Sequence, residues 1–160
     1  MRSTAWTRLL IAVGAVLVLF TVNFGIVGKE RIRRDGEVVL LPLVPVDPRS
    51  LVQGDYMALR FALAQEIERS LPAEARDGEV RFADVAVDTR RVARLAPSPT
   101  GIRLRYRIRQ GRVWLGTNAY FFEEGSAPRY TGARYGEFRV DRGSGEAVLV
   151  GLRGEALEPL

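Results

Sequence analysis

The sequence predicts a mostly β protein, with an N-terminal transmembrane helix followed by an antiparallel β-sandwich or barrel-like domain that carries one short helix. Two observations predict this class. Residues 9–27 form an apolar run of nineteen without a formal charge, long enough to cross a bilayer. After residue 37, short β-rich segments alternate with turns, and such neighbouring strands pair antiparallel in sandwiches and barrels. The chain therefore divides into an anchor at 1–28, a basic juxtamembrane linker at 29–36 and a β domain at 37–160.

The anchor would span about 28 Å as a helix at 1.5 Å per residue, close to the hydrocarbon thickness. A cleaved secretory signal would have a shorter apolar core and a small-x-small site at its end, and residues 23–28 offer no such pair. We therefore expect an uncleaved anchor. The flanking charges leave its orientation open, because Arg8 precedes the run and acidic residues interrupt the basic ones that follow: Lys29, Arg31, Arg33 and Arg34.

The domain begins with a β-rich segment at 37–46. Pro42 and Pro45 predict that this strand lies at a sheet edge, because proline cannot donate a ladder hydrogen bond. Residues 47–54 then predict one tight helical turn. Its aspartate stands at the cap, proline at the first helical position and glycine at the exit.

A second strand and a short helix follow. The strand is predicted at 56–63, with three apolar side chains on one face: Met57, Leu59 and Phe61. The helix is predicted from apolar residues spaced four apart and ends at Pro72: Leu63, Ile67 and Leu71. A helix of this length can only cover one face of a sheet.

The second half of the domain is predicted to be strand and turn, at 80–88, 92–96, 102–109, 112–122, 135–140 and 147–152. Pro97, Ser98 and Pro99 mark a loop, and Gln110 with Gly111 forms a two-residue hairpin turn. The strand at 102–109 alternates strictly. Its apolar face holds Ile102, Leu104, Tyr106 and Ile108, and its charged face holds Arg103, Arg105, Arg107 and Arg109.

Composition excludes several kinds of chemistry. The chain has no cysteine, which removes disulfides and thiolate metal sites. It has no histidine, the commonest general base and metal ligand. Because Arg2 and Arg8 precede the anchor, the remainder carries 22 basic and 19 acidic residues, a weaker excess than a nucleic-acid binder shows. We therefore expect no nucleic-acid partner and no cofactor.

Residues 45–61 resemble the signature sequence of a known protein family. Gly54, Asp55, Tyr56 and Leu59 match the signature of the GDYXXLXY family, and Phe61 stands where the family has tyrosine, which loses a hydroxyl. The blocks at 120–125 and 133–137 are also similar to the family. The resemblance implies a membrane-anchored bacterial protein of unassigned activity, often considered alongside multi-span membrane proteins. It also favours a single-pass protein of the bacterial inner membrane with its domain on the periplasmic side.

The candidate functional surface is this motif region: Asp47, Pro48, Arg49, Gly54, Asp55, Tyr56, Leu59, Glu124 and Gly125. One interpretation is structural, with Gly54 supplying a positive φ and the two aspartates bonding local N–H groups. The other places Asp47, Asp55 and Glu124 beside Tyr56 as a carboxylate cluster, for acid–base work or for a hard cation such as Ca²⁺. The spacing does not enforce that proximity.

The arginine row of 102–109 also has two interpretations. One is a solvated face that Glu137 or Asp141 partly neutralises. The other is a surface that contacts anionic lipid headgroups or an acidic partner. Nucleic acid is disfavoured, because the arginine face itself carries no interleaved aromatic residue.

These observations favour a non-enzymatic, membrane-tethered accessory or assembly protein that binds another membrane or envelope protein, with a multi-span protein as the expected partner. The alternative is an envelope enzyme or cation-binding domain built on Asp47, Asp55 and Glu124. The anchor adds one hypothesis. Its small residues and Asn23 would suit contact with a neighbouring transmembrane helix.

Overall fold

The computed structural model describes residues 2–44, 52–53, 56–72, 74–99 and 101–160. Within them a long helix precedes antiparallel sheets that curl into a half-barrel, which confirms the predicted fold class. The helices are α1 Arg2–Asp35, α2 Ala62–Arg69 and α3 Ala127–Tyr130. The strands are β1 Glu37–Pro42, β2 Val52–Gln53, β3 Tyr56–Ala58, β4 Val80–Val87, β5 Ala93–Leu95, β6 Arg103–Arg109, β7 Arg112–Trp114, β8 Ala119–Phe121, β9 Tyr135–Val140 and β10 Ala147–Arg153.

The helix α1 is long and apolar enough to cross a membrane. Its large apolar side chains between residues 9 and 27 are 53–74% exposed, so the rest of the protein does not cover them. An apolar surface of this extent needs a non-aqueous environment. Thr21 and Asn23 donate side-chain hydrogen bonds to the carbonyl oxygens of Leu17 and Leu19, at 2.8 and 2.9 Å.

The helix does not stop at the end of the apolar run. It continues to Asp35, so residues 29–35 of the predicted linker are helical. It ends at Gly36, whose N–H donates to the Ile32 carbonyl at 2.8 Å. A Cβ at position 36 would clash with that carbonyl oxygen. Ile32 is buried, and the Arg139 guanidinium donates to the Gly36 carbonyl at 3.2 Å, so α1 is fixed directly to the sheet.

Two sheets join into the half-barrel. One has the order β1-β9-β10 and the other β5-β4-β6-β7. A parallel bridge between Leu40 and Val92 links β1 to the second sheet. The β9–β10 turn then reaches across to β6, because the Arg105 N–H donates to the Gly145 carbonyl at 2.7 Å. In the order of its sheet β1 is terminal, as Pro42 predicts, although the Leu40 N–H also donates to the Arg91 carbonyl at 2.8 Å. Pro45 lies outside the described residues.

The core lies inside this curl. Its fully buried side chains come from alternating positions of facing strands and include Val39, Leu41, Leu104, Ile108 and Phe138. The helix α2 covers the core with Leu63, Ala64 and Ile67. The predicted apolar face of 102–109 is confirmed, since Ile102, Leu104, Tyr106 and Ile108 are all buried. The two-residue turn is confirmed by positive φ angles at Gln110 and Gly111, 51° and 70°.

Two predicted strands are shorter in the structure. The strand predicted at 56–63 ends at Ala58, because α2 begins at Ala62, although Met57, Leu59 and Phe61 are buried as expected. The strand predicted at 112–122 divides into β7 and β8, which belong to different sheets. The break falls at Gly116, which has φ +76° and where a Cβ would lie 2.7 Å from the Ala147 carbonyl oxygen.

Two further differences concern helices. Val52 and Gln53 form strand β2, so the helical turn predicted at 47–54 is wrong for these two residues. The other residues of that turn lie outside the described part of the chain. The helix α3 is not predicted by the sequence pattern, because it comprises four residues and shows no apolar period.

Candidate functional site

The family-like motif reaches the surface on a small sheet of order β2-β3-β8. In its register Tyr56 lies opposite Phe121, and Ala58 lies opposite Ala119. Directly paired residues point to the same face, and here that face is the outer one. The rings of Tyr56 and Phe121 are 5.8 Å apart between centroids. We call these four residues the aromatic patch.

The aromatic patch is open to solvent. Phe121 is 74% exposed and Tyr56 is 37% exposed, and the neighbouring alanines leave the surface flat beside the two rings. A phenylalanine at this exposure leaves most of its apolar area in water, which is unfavourable unless another surface covers it.

The inner face of the same sheet is rigidly supported. Met57 is buried and pairs with Tyr120. The Tyr120 ring packs edge-on against Tyr130 at 5.2 Å, and Phe122 stacks on Tyr130 at the same centroid distance. Burial, with a hydrogen bond to Tyr130, raises the pKa of Tyr120. The patch therefore sits on an ordered aromatic layer that also holds α3.

The other motif residues have structural positions. Leu59 is buried, and its N–H donates to the Asn118 carbonyl at 2.7 Å. Glu124 and Gly125 form an exposed turn in which Gly125 has φ +79°. Asp47, Pro48, Arg49, Gly54 and Asp55 lie outside the described residues, so the clustering of Asp47 and Asp55 with Glu124 beside Tyr56 stays a prediction. Among the residues described, no three Asp or Glu side chains come together as a metal-binding group.

Phe61, at the last position of the signature, belongs to the core. Its ring is 4% exposed and packs edge-on against Phe138 at 5.3 Å and 72°. Gly136 lies directly beneath, where a Cβ would approach Phe61 Cε1 to 2.8 Å. The family-like blocks at 56–61 and 133–137 thus meet in the core, and this aromatic position serves packing.

The arginine row lies on the outer face of β6, as predicted. Its expected neutralisation by Glu137 or Asp141 is wrong. Glu137 instead accepts from Arg153 Nε at 2.6 Å. Asp141 accepts from the Ser144 N–H at 2.7 Å, and this bond lowers the Asp141 pKa. In the described part of the chain no carboxylate forms an ion pair with the four row arginines.

Aromatic residues do lie on this face, supplied by neighbouring strands. The Arg103 guanidinium lies 5.3 Å from the Phe82 ring centroid, and that of Arg109 lies 4.9 Å from the Trp114 centroid. The predicted absence of interleaving holds within β6 alone. The two-residue turn at 110–111 was a signal that an aromatic ring would lie on this face, because that turn places Trp114 opposite Arg107.

Beside this row is a cleft of about 290 Å³. Its charged lining is Lys29 from α1, Glu146 before β10, and Arg105, Arg107 and Arg109 from β6. Lys29 and Glu146 form an ion pair. We call these residues, with Trp114 and Thr117, the basic cleft. The sequence did not predict that Lys29 would join the row, since that depends on α1 continuing past the apolar run.

Comparisons with known proteins give one result. A family model described as GDYXXLXY protein matches residues 18–152, most of the chain. No curated protein and no solved structure matches.

Proposed function

The chain belongs to the GDYXXLXY family, and on that premise we propose that it is a membrane-tethered, non-enzymatic accessory or assembly protein that binds another membrane protein through its β domain. The observation that carries the proposal is the aromatic patch. A ring 74% exposed on a sheet whose inner face packs on Tyr130 resembles the anchor residues that dominate protein interfaces, which are aromatic and able to fill a partner's pocket.

The energy available at the patch is substantial. Fully burying a phenylalanine side chain contributes roughly 1.5–3 kcal/mol relative to leaving it exposed. The Tyr56 ring adds apolar area with a hydroxyl that can bond to a polar rim. Because the layer of Tyr120, Phe122 and Tyr130 already fixes the sheet, little conformational entropy is lost when a partner docks.

The choice of a membrane protein as partner follows from the anchor. Restricting both molecules to one bilayer raises their effective concentration, so a patch of moderate affinity is sufficient. We assign recognition to the β domain, because the side-chain amide of Asn23 already donates to the Leu19 carbonyl within its own helix. That bond satisfies one of the two N–H groups of the amide without a neighbouring helix.

We place the protein in the bacterial inner membrane as a single-pass protein with its domain on the extracytoplasmic side. This placement rests on the apolar length of α1 and on what the family resemblance implies.

A site-specific crosslinking experiment tests the proposal. A photoreactive phenylalanine analogue replaces Phe121 in the full-length protein within native membranes, and Phe82 is replaced in a matched control. Both rings are exposed, at 74% and 50%, but they lie on different sheets. We expect a discrete adduct with an integral membrane protein at position 121 only, and loss of co-purification in Phe121→Ala but not in Phe82→Ala. Identical adducts at both positions, or unchanged co-purification, would contradict the assignment.

A further inference from the structure

The basic cleft concentrates positive charge that described carboxylates neutralise by an ion pair at Lys29 but not at its three arginines. Arg105, Arg107 and Arg109 project from one face of β6 at alternate positions, roughly 7 Å apart along the strand. Among the described residues of the lining, Glu146 is the one acidic side chain, and it is already paired with Lys29. Like charges held this close on a fixed strand repel each other, and a bound anion relieves that repulsion.

The cleft lies at a defined height above the apolar run. Lys29 is two residues beyond Val27, the end of that run, which is about 3 Å along a helix axis. The polar headgroup layer of a bilayer is about 5–7 Å deep on each side of the hydrocarbon. A helix that spans the bilayer with this run therefore places Lys29, and the end of the cleft that it lines, in the headgroup layer.

The rings around the cleft suit that layer. Trp114 lies in the lining with the Arg109 guanidinium over it, and Phe82 on the same outer face is 50% exposed. Tryptophan and arginine that combine an apolar body with a polar tip are typical of the membrane–water boundary. The guanidinium groups of Arg103 and Arg109 cover the rings of Phe82 and Trp114, respectively. These rings are therefore less open to stacking by nucleic-acid bases.

We propose that the basic cleft binds the phosphate group of an anionic membrane lipid. The guanidinium groups of Arg105, Arg107 and Arg109 donate hydrogen bonds to the phosphate oxygens. Glu146 limits the affinity by holding Lys29 in an ion pair. This inference does not depend on the aromatic patch, which lies on a different sheet, so either can fail alone.

The test uses the full-length protein purified in detergent and incubated with phosphatidylglycerol or phosphatidylcholine, with bound lipids counted by native mass spectrometry. Wild type is expected to retain phosphatidylglycerol in preference. The triple variant R105Q/R107Q/R109Q should lower that preference at least tenfold, because each arginine near an anionic surface contributes several-fold in affinity. The matched control R69Q/R90Q/R94Q removes the same charge from exposed arginines elsewhere and should keep the preference.

A second variant keeps the test decisive if the triple variant folds poorly. Glu146→Gln removes the carboxylate and frees Lys29, so it should strengthen phosphatidylglycerol retention, a change that partial unfolding would not produce. Equal loss in both triple variants would overturn the proposal, and so would weaker retention in Glu146→Gln. Displacement of the lipid by millimolar inorganic phosphate, or stronger binding of a single-stranded oligonucleotide, would assign the cleft to a soluble anion or to nucleic acid instead.

Discussion

Gly136→Ala tests whether the two family-like blocks are joined by packing. A Cβ at this position would lie 2.8 Å from Phe61 Cε1, 3.1 Å from Phe138 Cε2 and 3.2 Å from Leu149 Cδ1. Carbon atoms in favourable contact are about 3.5–4.0 Å apart. Phe61 and Phe138 are 4% and 0% exposed, so neither ring can move into solvent to make room.

Overpacking of this kind costs about 1–3 kcal/mol of unfolding free energy. For a domain of this size that is a decrease in melting temperature of roughly 4 °C per kcal/mol. The measurement is thermal or urea unfolding of the full-length protein in detergent micelles, followed by the fluorescence of the half-buried Trp114. Gly151→Ala is the matched control. It lies in the adjoining strand β10 with no heavy atom within 4 Å of its added Cβ, and should change stability by less than about 0.5 kcal/mol.

A double mutant identifies the clashing partner. Phe61→Leu removes the ring carbon that approaches residue 136, so in G136A/F61L the two losses should not add, and the alanine should cost less in that background. If Gly136→Ala and Gly151→Ala destabilise equally, or if the double mutant is strictly additive, then Gly136 is not required by the ring of Phe61 and the packing explanation of the signature position is refuted.

Two further predictions concern charge and topology. The Arg142 hydrogen bond to Glu37 lowers the Glu37 pKa below its ordinary value of 4.5. That pair should therefore stabilise the protein above pH 4.5 and cease to do so as the pH falls further. Glu37→Gln should cost about 1 kcal/mol near neutral pH, since Arg142 is largely exposed. Its unfolding curves should converge with those of wild type as the pH falls from 4.5 through the lowered pKa of Glu37; a difference that stays constant with pH would contradict this. A C-terminal alkaline phosphatase fusion after Leu160 should be active and a fluorescent-protein fusion dark, and the reverse result would place the domain in the cytoplasm.

The features that sequence predicts well here are those set by local spacing. Strict alternation identifies the buried and exposed faces of 102–109. Gln110 with Gly111 identifies the turn, because glycine suits the second of its two consecutive positive φ angles. The apolar run identifies α1. In each case the residues that carry the signal are also the residues that form the element.

The features that sequence misses depend on contacts between distant segments. The strand after Arg112 breaks because Gly116 must fit against the Ala147 carbonyl, which no local pattern reveals. Tyr56 could be singled out from the motif, but its partner Phe121 emerges only from the β3–β8 register. Lys29 joins the basic cleft only because α1 remains helical after the apolar run and carries it to Glu146.

Because α1 joins the sheet directly at Gly36, the number of residues in the helix sets the rotational position of the domain about the helix axis. Each residue of an α-helix advances about 1.5 Å and turns about 100°. A single residue inserted after Gly28 would raise the domain slightly, but would turn it by more than a quarter circle about the span. Lys29 and Ile32 follow the insertion point and would move with the domain, so their contacts with it would be kept. Four inserted residues would nearly restore the phase and change mainly the height. Under the proposed function, a domain with its helical phase intact would present Phe121 to one sector of the membrane plane, and the proposed partner would approach from that side.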